Sequence, residues 1–165
     1  MDTANRGFQP EHVFRQFGEK WALVTAGNAE RYNTMTVSWG GLGVLWGKPT
    51  ATIYVRTTRY THEFLDREDF FTISFFPAGL RSTLSMLGAR SGRDMDKMHV
   101  PGLTIEPRER GIVFREATLT LVCRKLYRQR LDVGAMPEDV RRTYYADAAP
   151  HDMYIGEVVE TLSRA

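Results

Sequence analysis

The hydroxyl side chains of residues 33–43, NTMTVSWGGLG, have a spacing that could hold a ligand. Thr34, Thr36 and Ser38 alternate with apolar residues, so a strand would show hydroxyl groups about 7 Å apart on one face. Three glycines follow, and glycine lets a flat molecule approach the backbone. The segment predicts the wall of a planar ligand with polar edges. The alternative is a solvent-facing hydroxyl stripe followed by a turn.

A potential anion site follows in RTTRYT, residues 56–61, where a strand would end and a helix would begin. Thr61 is expected to be the N-cap residue, with Glu63 in the first turn. The N–H groups at a helix start bind anions, and Arg59 could add a bidentate contact. We interpret the segment as a phosphate site. The alternative is an ordinary capped helix with a surface arginine.

A third polar segment is SGRDMDK, residues 91–97. Ser91 followed by Asp94 resembles a capping box that opens a single turn. Arg93 and Lys97 are four residues apart and would then lie on one face. Because the segment also contains two aspartates, the alternative is a loop whose charges pair with one another.

The cysteine and histidine residues form no recognisable catalytic or metal-binding pattern. The single Cys123 excludes an intramolecular disulfide and every cysteine-based metal pattern, and we expect it to be a packed thiol. The histidines at 12, 62, 99 and 151 lack ligand spacing, so we predict no metal site and no catalytic side chain. His151 begins an apolar run; it lies either near the redox-active edge of a ligand or at the surface.

Composition indicates the class of protein that must position these segments. The chain has 165 residues, 42% of them hydrophobic and 25% charged, which predicts a single globular domain over residues 1–165. A net charge of +2 without a continuous basic stripe argues against nucleic acid. No window is apolar enough for a membrane span, and the N-terminus lacks a secretory signal pattern, so we expect a cytoplasmic protein.

Hydrophobic periodicity predicts a mainly β chain. The predicted helices span residues 10–17, 60–68, 80–87 and 136–145. The predicted strands span residues 20–27, 33–40, 50–56, 69–76, 112–131 (one strand or two, joined at 116–117) and 151–162. Because the long helical crossovers of parallel sheets are missing, a closed or partly closed antiparallel barrel fits best.

Four motifs occur in an order that resembles a known family. NTMTVSWGG, PTATIYVRTTRYT, SGRDMDK and HDMYIGEV are together similar to the flavin reductase-like, FMN-binding split-barrel family, flavoredoxin-type members in particular. The resemblance implies a six-stranded antiparallel Greek-key barrel with a few short helices. It also implies a homodimer with FMN in a groove near the interface. The aromatic residues of segment 69–76 would be covered by such a dimer or would fill the barrel.

The resemblance also implies roles for individual residues. The implied FMN-binding residues are Asn33, Thr34, Met35, Thr36, Val37, Ser38, Trp39, Arg59, Tyr60, Thr61, Ser91, Gly92, Arg93 and Lys97. Of these, Arg59, Tyr60 and Thr61 would hold the phosphate, and Lys97 would be a donor to the flavin. His151 would lie on the substrate or nicotinamide side. Many members have Gly-Asp-His before the last strand, whereas this chain has Ala149-Pro150-His151 and lacks the glycine.

The function implied is that of an FMN-dependent oxidoreductase. NAD(P)H would be the electron donor, and free flavin, a redox partner protein or another acceptor would receive the electrons. Because the cofactor carries the redox chemistry, no side-chain acid or base is required. The alternatives are an FMN-binding protein without its own nicotinamide-dependent turnover, and a ligand-free barrel.

Overall fold

The computed structural model describes residues 10–146 and 148–164, and an antiparallel sheet of seven strands forms its centre. Its strands are β1 (Ala22–Gly27), β2 (Tyr32–Val37), β3 (Gly40–Leu45), β4 (Lys48–Arg56), β5 (Phe70–Phe75), β8 (Leu119–Arg130) and β9 (His151–Ser163). The order across the sheet is β2-β1-β5-β8-β9-β4-β3. A separate hairpin contains β6 (Ile105–Arg108) and β7 (Gly111–Phe114).

Among the described residues, one α-helix precedes the first strand and three others lie between strands. They are α1 (Pro10–Gly18), α2 (Tyr60–Arg67), α3 (Arg81–Ala89) and α4 (Glu138–Tyr145), as the sequence predicts to within a few residues. Among the described residues, none of these helices has the length and apolar composition needed to cross a lipid bilayer. Residues 1–9 lie outside the described range. They belong to the N-terminal segment in which the sequence shows no signal-peptide pattern.

The mainly antiparallel β architecture is confirmed, but the prediction of a six-stranded barrel is wrong. Segment 40–45, which lies outside the predicted strands apart from Gly40, is an edge strand that pairs with β4 from Gly40↔Ile53 to Leu45↔Lys48. The segment 112–131 divides into two strands, of which β7 leaves the main sheet to pair with β6. In the part of the chain that the structure describes, no ladder joins β2 to β3, so the strand order does not close.

Two apolar clusters pack on the sheet. One is centred on the sheet itself and includes Phe71, Phe75 and Cys123, all at most 1% exposed. The other lies under α3 and the β6–β7 hairpin and includes Leu87 and Phe114. Phe71 and Phe75 therefore fill the interior, which is the alternative given for that segment, whereas Phe70 at the start of β5 is partly exposed.

Candidate functional site

Three adjoining cavities meet at Arg59. The first has a volume of about 400 Å³ and the second about 290 Å³, and both are lined by Met35, Thr58 and Arg59. A smaller cavity of about 240 Å³ shares Thr36, Ser38 and Arg59 with the first. Because the lining residues are shared, the cavities form one groove, which we call the Arg59 groove.

Most of the predicted site residues line this groove. The first cavity contains Met35, Thr36, Val37, Ser38, Trp39, Arg59 and His151. The second contains Asn33, Met35, Arg59, Tyr60, Thr61, Ser91, Gly92, Arg93 and Lys97. The three sequence segments, which lie at residues 33–39, 59–61 and 91–97, thus come together as predicted.

The hydroxyl row of β2 is used differently from the prediction. The Thr34 side chain is fully buried, bonds Thr25 Oγ1 at 2.8 Å and does not line the described cavities. Thr36 Oγ1 donates to the Leu84 carbonyl of α3. Both hydroxyls therefore hold elements together, and the stripe does not face solvent. Thr36 and Ser38 remain on the wall of the groove.

The start of α2 is held against β2 by a buried hydrogen bond. Asn33 Nδ2 donates to Thr61 Oγ1 at 2.7 Å, and both side chains are at most 3% exposed. The prediction of Thr61 as the N-cap is wrong: Arg59 is the N-cap residue, with extended backbone, and Thr61 lies within the first turn. The hydroxyl group of Thr61 is engaged by Asn33 and so positions the helix against the sheet.

The 91–97 loop closes the second cavity by fitting tightly over Asn33. A Cβ atom on Gly92 would overlap Asn33 Oδ1 and would lie 3.0 Å from Tyr60 Cδ1, so only glycine fits. The predicted capping box of Ser91 and Asp94 is not formed among the described residues: Ser91 Oγ accepts the Arg93 N–H at 3.1 Å, and Asp94 N–H donates to the Ser91 carbonyl at 3.1 Å. The alternative of a self-paired loop is wrong, because Arg93 pairs with Glu63 of α2 and Asp96 Oδ2 lies 2.6 Å from His99 Nδ1.

Two cations of the groove are fixed by carbonyl groups at the end of α3. Lys97 Nζ donates to Leu87 O at 2.7 Å and to Thr34 O at 2.9 Å, and Arg59 donates to Gly88 O. The last carbonyls of a helix lack intrahelical partners and carry partial negative charge. They orient both cations without neutralising them, which leaves the charge available to an anion.

Burial lowers the pKa of both cations. The pKa of Lys97 falls to about 8, first because of burial and second because Arg59 is nearby. The pKa of Arg59 is lowered for the same reason, with Arg56 as the second cause. An anion bound between these groups would offset that repulsion.

The far end of the first cavity is aromatic. His151 begins β9, is 7% exposed, and has its ring 5.0 Å from that of Trp39. Its Nδ1 lies 2.9 Å from the hydroxyl oxygen of Tyr145. Burial, with Arg56 and Arg59 as further causes, lowers the pKa of His151 to about 4, so the ring is neutral at physiological pH. The alternative of a surface histidine is wrong.

Sequence reasoning missed several residues of the groove. Arg56, Thr58 and Tyr54 line the first cavity, and Arg90 lines the second. Tyr144 packs edge-on against Trp39 with 5.2 Å between ring centroids. The available signal was a pair of tyrosines at the end of the helix that precedes His151 in the chain.

A buried ionic cluster lies behind the groove. Asp152 is 0% exposed, and its carboxylate accepts from His62 Nε2 at 2.8 Å, Arg128 Nη2 at 2.6 Å and Arg130 Nε at 2.9 Å. Burial alone would raise the pKa of Asp152, but the hydrogen bonds from Arg130, His62 and Arg128 hold it well below its usual range. The cluster joins α2, β8 and β9.

Other reactive groups are few in the described part of the chain. Within residues 10–146 and 148–164, no three His, Cys, Asp or Glu side chains are grouped as a metal ion would require. Cys123 is fully buried, and burial raises the pKa of its thiol to about 12, so it packs as an unreactive apolar group.

The family of this chain follows from a comparison with models of known protein families. Residues 14–164 match the model of the family described as "Flavin reductase like domain", which is most of the chain. The chain belongs to the flavin reductase-like domain family. A comparison with curated protein sequences gives no match.

Solved structures share the fold of this flavin reductase-like domain. A flavoredoxin from Methanosarcina acetivorans is 21% identical with a TM-score of 0.68, over 88% of this chain and 68% of that one. An FMN-binding protein from Thermus thermophilus with bound p-hydroxybenzaldehyde is 22% identical with a TM-score of 0.68, over 99% and 82%. An NADH:FAD oxidoreductase from Streptomyces globisporus C-1027, in complex with NAD and FAD fragments, is 17% identical with a TM-score of 0.63, over 88% and 74%.

Proposed function

We propose that this flavin reductase-like domain binds FMN in the Arg59 groove and uses it to accept electrons from NAD(P)H. One observation carries the proposal: a strongly cationic cavity and an aromatic cavity adjoin and share Met35, Thr58 and Arg59 as lining residues. FMN combines a doubly charged phosphate with a planar ring system, so it needs both environments within one groove.

The second cavity suits the phosphate. Its described lining residues include four cationic side chains and one carboxylate, namely Arg59, Arg90, Arg93, Lys97 and Asp94. Arg93 is partly neutralised by Glu63, whereas Arg59 and Lys97 are held only by carbonyl groups. The N-terminal turn of α2 opens at the same place and adds the positive end of a helix dipole.

The first cavity suits the flavin ring. Residues 35–39, which are the end of β2 and the two residues after it, run along this cavity and offer main-chain polar groups to the ring edge and apolar side chains to its faces. Bound FMN would supply hydride and electron transfer, which the protein's own side chains do not perform. The residues of the groove bind, orient and exclude water. His151 would present a neutral imidazole to the second substrate.

Two measurements test the proposal. Purified protein is titrated with FMN, with riboflavin as the phosphate-free comparison, and a stoichiometric complex with FMN is expected. The loaded protein is then mixed with NADH or NADPH without oxygen, and bleaching of the flavin absorption is expected with at least one of them. Failure to bind FMN would overturn the site, and binding without bleaching by either nucleotide would overturn the reductase activity.

A second function, FMN binding without nicotinamide-dependent turnover, is favoured by the segment before His151. Ala149 and Pro150 stand where many members have Gly and Asp, and the Pro150 carbonyl accepts the Thr57 N–H at 3.1 Å. This segment is therefore tied to the groove by its backbone. Tight FMN binding with reduction by NADH and NADPH no faster than that of free FMN would favour this function.

We further propose that the protein is a homodimer through β3. Leu42 and Val44 of this edge strand and Trp46 in the turn that follows it are 43%, 78% and 64% exposed. Adjacent exposed apolar side chains on an edge strand favour association with another chain, and a two-fold dimer is the commonest solution. Electrons could then leave either groove for free flavin or a redox partner protein.

A further inference from the structure

The hydroxyl group of Tyr145 has one hydrogen-bond partner within the described residues, and that partner is His151. The O–H oxygen lies 2.9 Å from His151 Nδ1, and both residues are buried. The rings meet edge to face with 5.6 Å between centroids. Tyr145 is the last residue of α4 and His151 is the first of β9, so this bond joins the two elements at the wall of the first cavity.

The direction of this hydrogen bond follows from the protonation states of the two groups and from the partners that the hydroxyl has. Burial raises the pKa of Tyr145, so its phenol keeps its proton at neutral pH. His151 is neutral and carries one ring proton, because its pKa is about 4. Because His151 Nδ1 is the one partner of this hydroxyl among the described residues, the phenol proton finds an acceptor only if Tyr145 donates to that nitrogen. The ring proton of His151 is then on Nε2.

We propose that Tyr145 is a positioning residue that holds His151 as the Nε2–H tautomer, so that the imidazole offers the ligand of the first cavity a hydrogen-bond donor and not a base. Among the described residues, Nε2 has no hydrogen-bond partner, although no buried polar side-chain atom is left unsatisfied. Nε2 is therefore accessible from the groove. A carbonyl oxygen, such as that of a carboxamide, is the complementary group.

The surroundings of His151 keep the imidazole neutral and fixed. The charged groups that act on it are Arg56 and Arg59, and both oppose protonation. Arg56 donates to Tyr144 O at 3.1 Å and Ala149 O at 2.8 Å, and its guanidinium lies 5.6 Å from the centre of the Tyr145 ring. The neighbouring carboxylate of Asp152 is committed to Arg128, Arg130 and His62.

The tautomer is tested by nitrogen NMR of ¹⁵N-histidine-labelled protein without any ligand. The His151 signals are assigned with the His151→Gln variant. In the unmodified protein at pH 7 we expect an unprotonated Nδ1 and a protonated Nε2. Tyr145→Phe should give a mixture of the two tautomers and raise the titration midpoint of His151 by about one pH unit, since the lost bond stabilises the neutral ring. Tyr144→Phe is the matched control and should leave the tautomer and the titration midpoint of His151 unchanged.

A protonated Nδ1 in the unmodified protein, or the same tautomer and midpoint in Tyr145→Phe, would overturn the proposal. The ligand class rests on the proposed function and is tested separately. With FMN-loaded protein, Tyr145→Phe should raise the KM for the nicotinamide nucleotide about tenfold while leaving FMN affinity unchanged. An unchanged KM would overturn the ligand assignment. Because the NMR measurement needs no FMN, its outcome is independent of whether FMN binds.

Discussion

Arg59 is the residue on which the groove depends most. Its side chain borders all three cavities, is half buried, and is oriented by a carbonyl group at the end of α3. A cation held by a neutral acceptor keeps its charge, so its attraction for a phosphate is retained in a place from which bulk water is partly excluded.

Replacing Arg59 by alanine should therefore weaken FMN far more than riboflavin. Loss of one charged hydrogen-bond partner costs about 1.5–3 kcal/mol, or about 10- to 150-fold in the dissociation constant. Fluorescence titrations with both flavins measure the difference. Arg67→Ala, on the same helix but paired with Glu63, is the matched control and should bind FMN normally. Equal losses for FMN and riboflavin would contradict the phosphate assignment.

Lys97 should make FMN binding depend on pH. Its pKa of about 8 means that the amine is charged at pH 7 and mostly neutral at pH 9, whereas the phosphate is doubly charged at both. The dianion favours the ammonium form, so affinity should fall about tenfold over this range as the proton is lost.

Titrations with FMN at pH 7, 8 and 9 measure this dependence, with riboflavin in parallel. Lys97→Met keeps an unbranched side chain but removes the titrating amine, so this variant should bind FMN more weakly at pH 7, with no further change up to pH 9. An unmodified protein whose affinity for FMN is flat between pH 7 and pH 9 would show that Lys97 does not face the phosphate.

The sequence identifies site residues when their type is unusual for the element that carries them. Asn33 in a strand, Arg59 before a helix and Lys97 after an acidic turn are of this kind, and all three line the groove. Tyr145 could not be found in this way, because a tyrosine at the end of a helix is ordinary. Its role arises only from its approach to His151, a tertiary contact that local patterns do not encode.

At the scale of elements, helices and inner strands are predictable because their apolar periodicity is strong. β3 was missed because glycine is uncommon in strands, and three of its six residues are glycine. β3 forms because β4 lies beside it as a pairing partner. The two strands are connected by a turn at Trp46-Gly47, where both residues have positive φ angles. Tertiary pairing therefore overrides local propensity at this edge.

The fit between the 91–97 loop and β2 gives a prediction at the same scale. In Gly92→Ala the new methyl group would displace Asn33, so the bond from Asn33 to Thr61 should break. We expect about 1–3 kcal/mol lower stability, from the buried groups left without partners, together with weaker FMN binding. Calorimetric unfolding and FMN titration measure the two effects.

Gly41→Ala is the matched control, because an added Cβ at Gly41 meets no atom within 4 Å. This variant should unfold at the same temperature as the unmodified protein or slightly above it. If Gly92→Ala also left the unfolding temperature unchanged, the loop would have to be free to move away from Asn33. The second cavity would then not have the tight packing described above.

At the scale of the whole molecule, the outer edge of the sheet at β3 exposes apolar side chains, among them Leu42 and Val44. In Val44→Glu a charge replaces a side chain that is 78% exposed in the single chain, so folding should be unaffected while dimer formation is weakened. Light scattering coupled to size-exclusion chromatography should give twice the chain mass for the unmodified protein and for Val44→Ile, and the mass of one chain for Val44→Glu. A monomeric unmodified protein would contradict the proposed dimer.

Asp152 has a consequence for the ligands that the molecule can accept. One carboxylate anchors His62 of α2, the helix that opens at the cationic end, and it is the chain neighbour of His151 at the aromatic end. The hydrogen bonds of Asp152 thus help to fix the distance between the cationic and aromatic ends of the groove before a ligand binds. We therefore expect the proposed FMN site to select its ligands by length, so that compounds with a shorter or longer tail between charged group and ring bind more weakly than FMN in titrations.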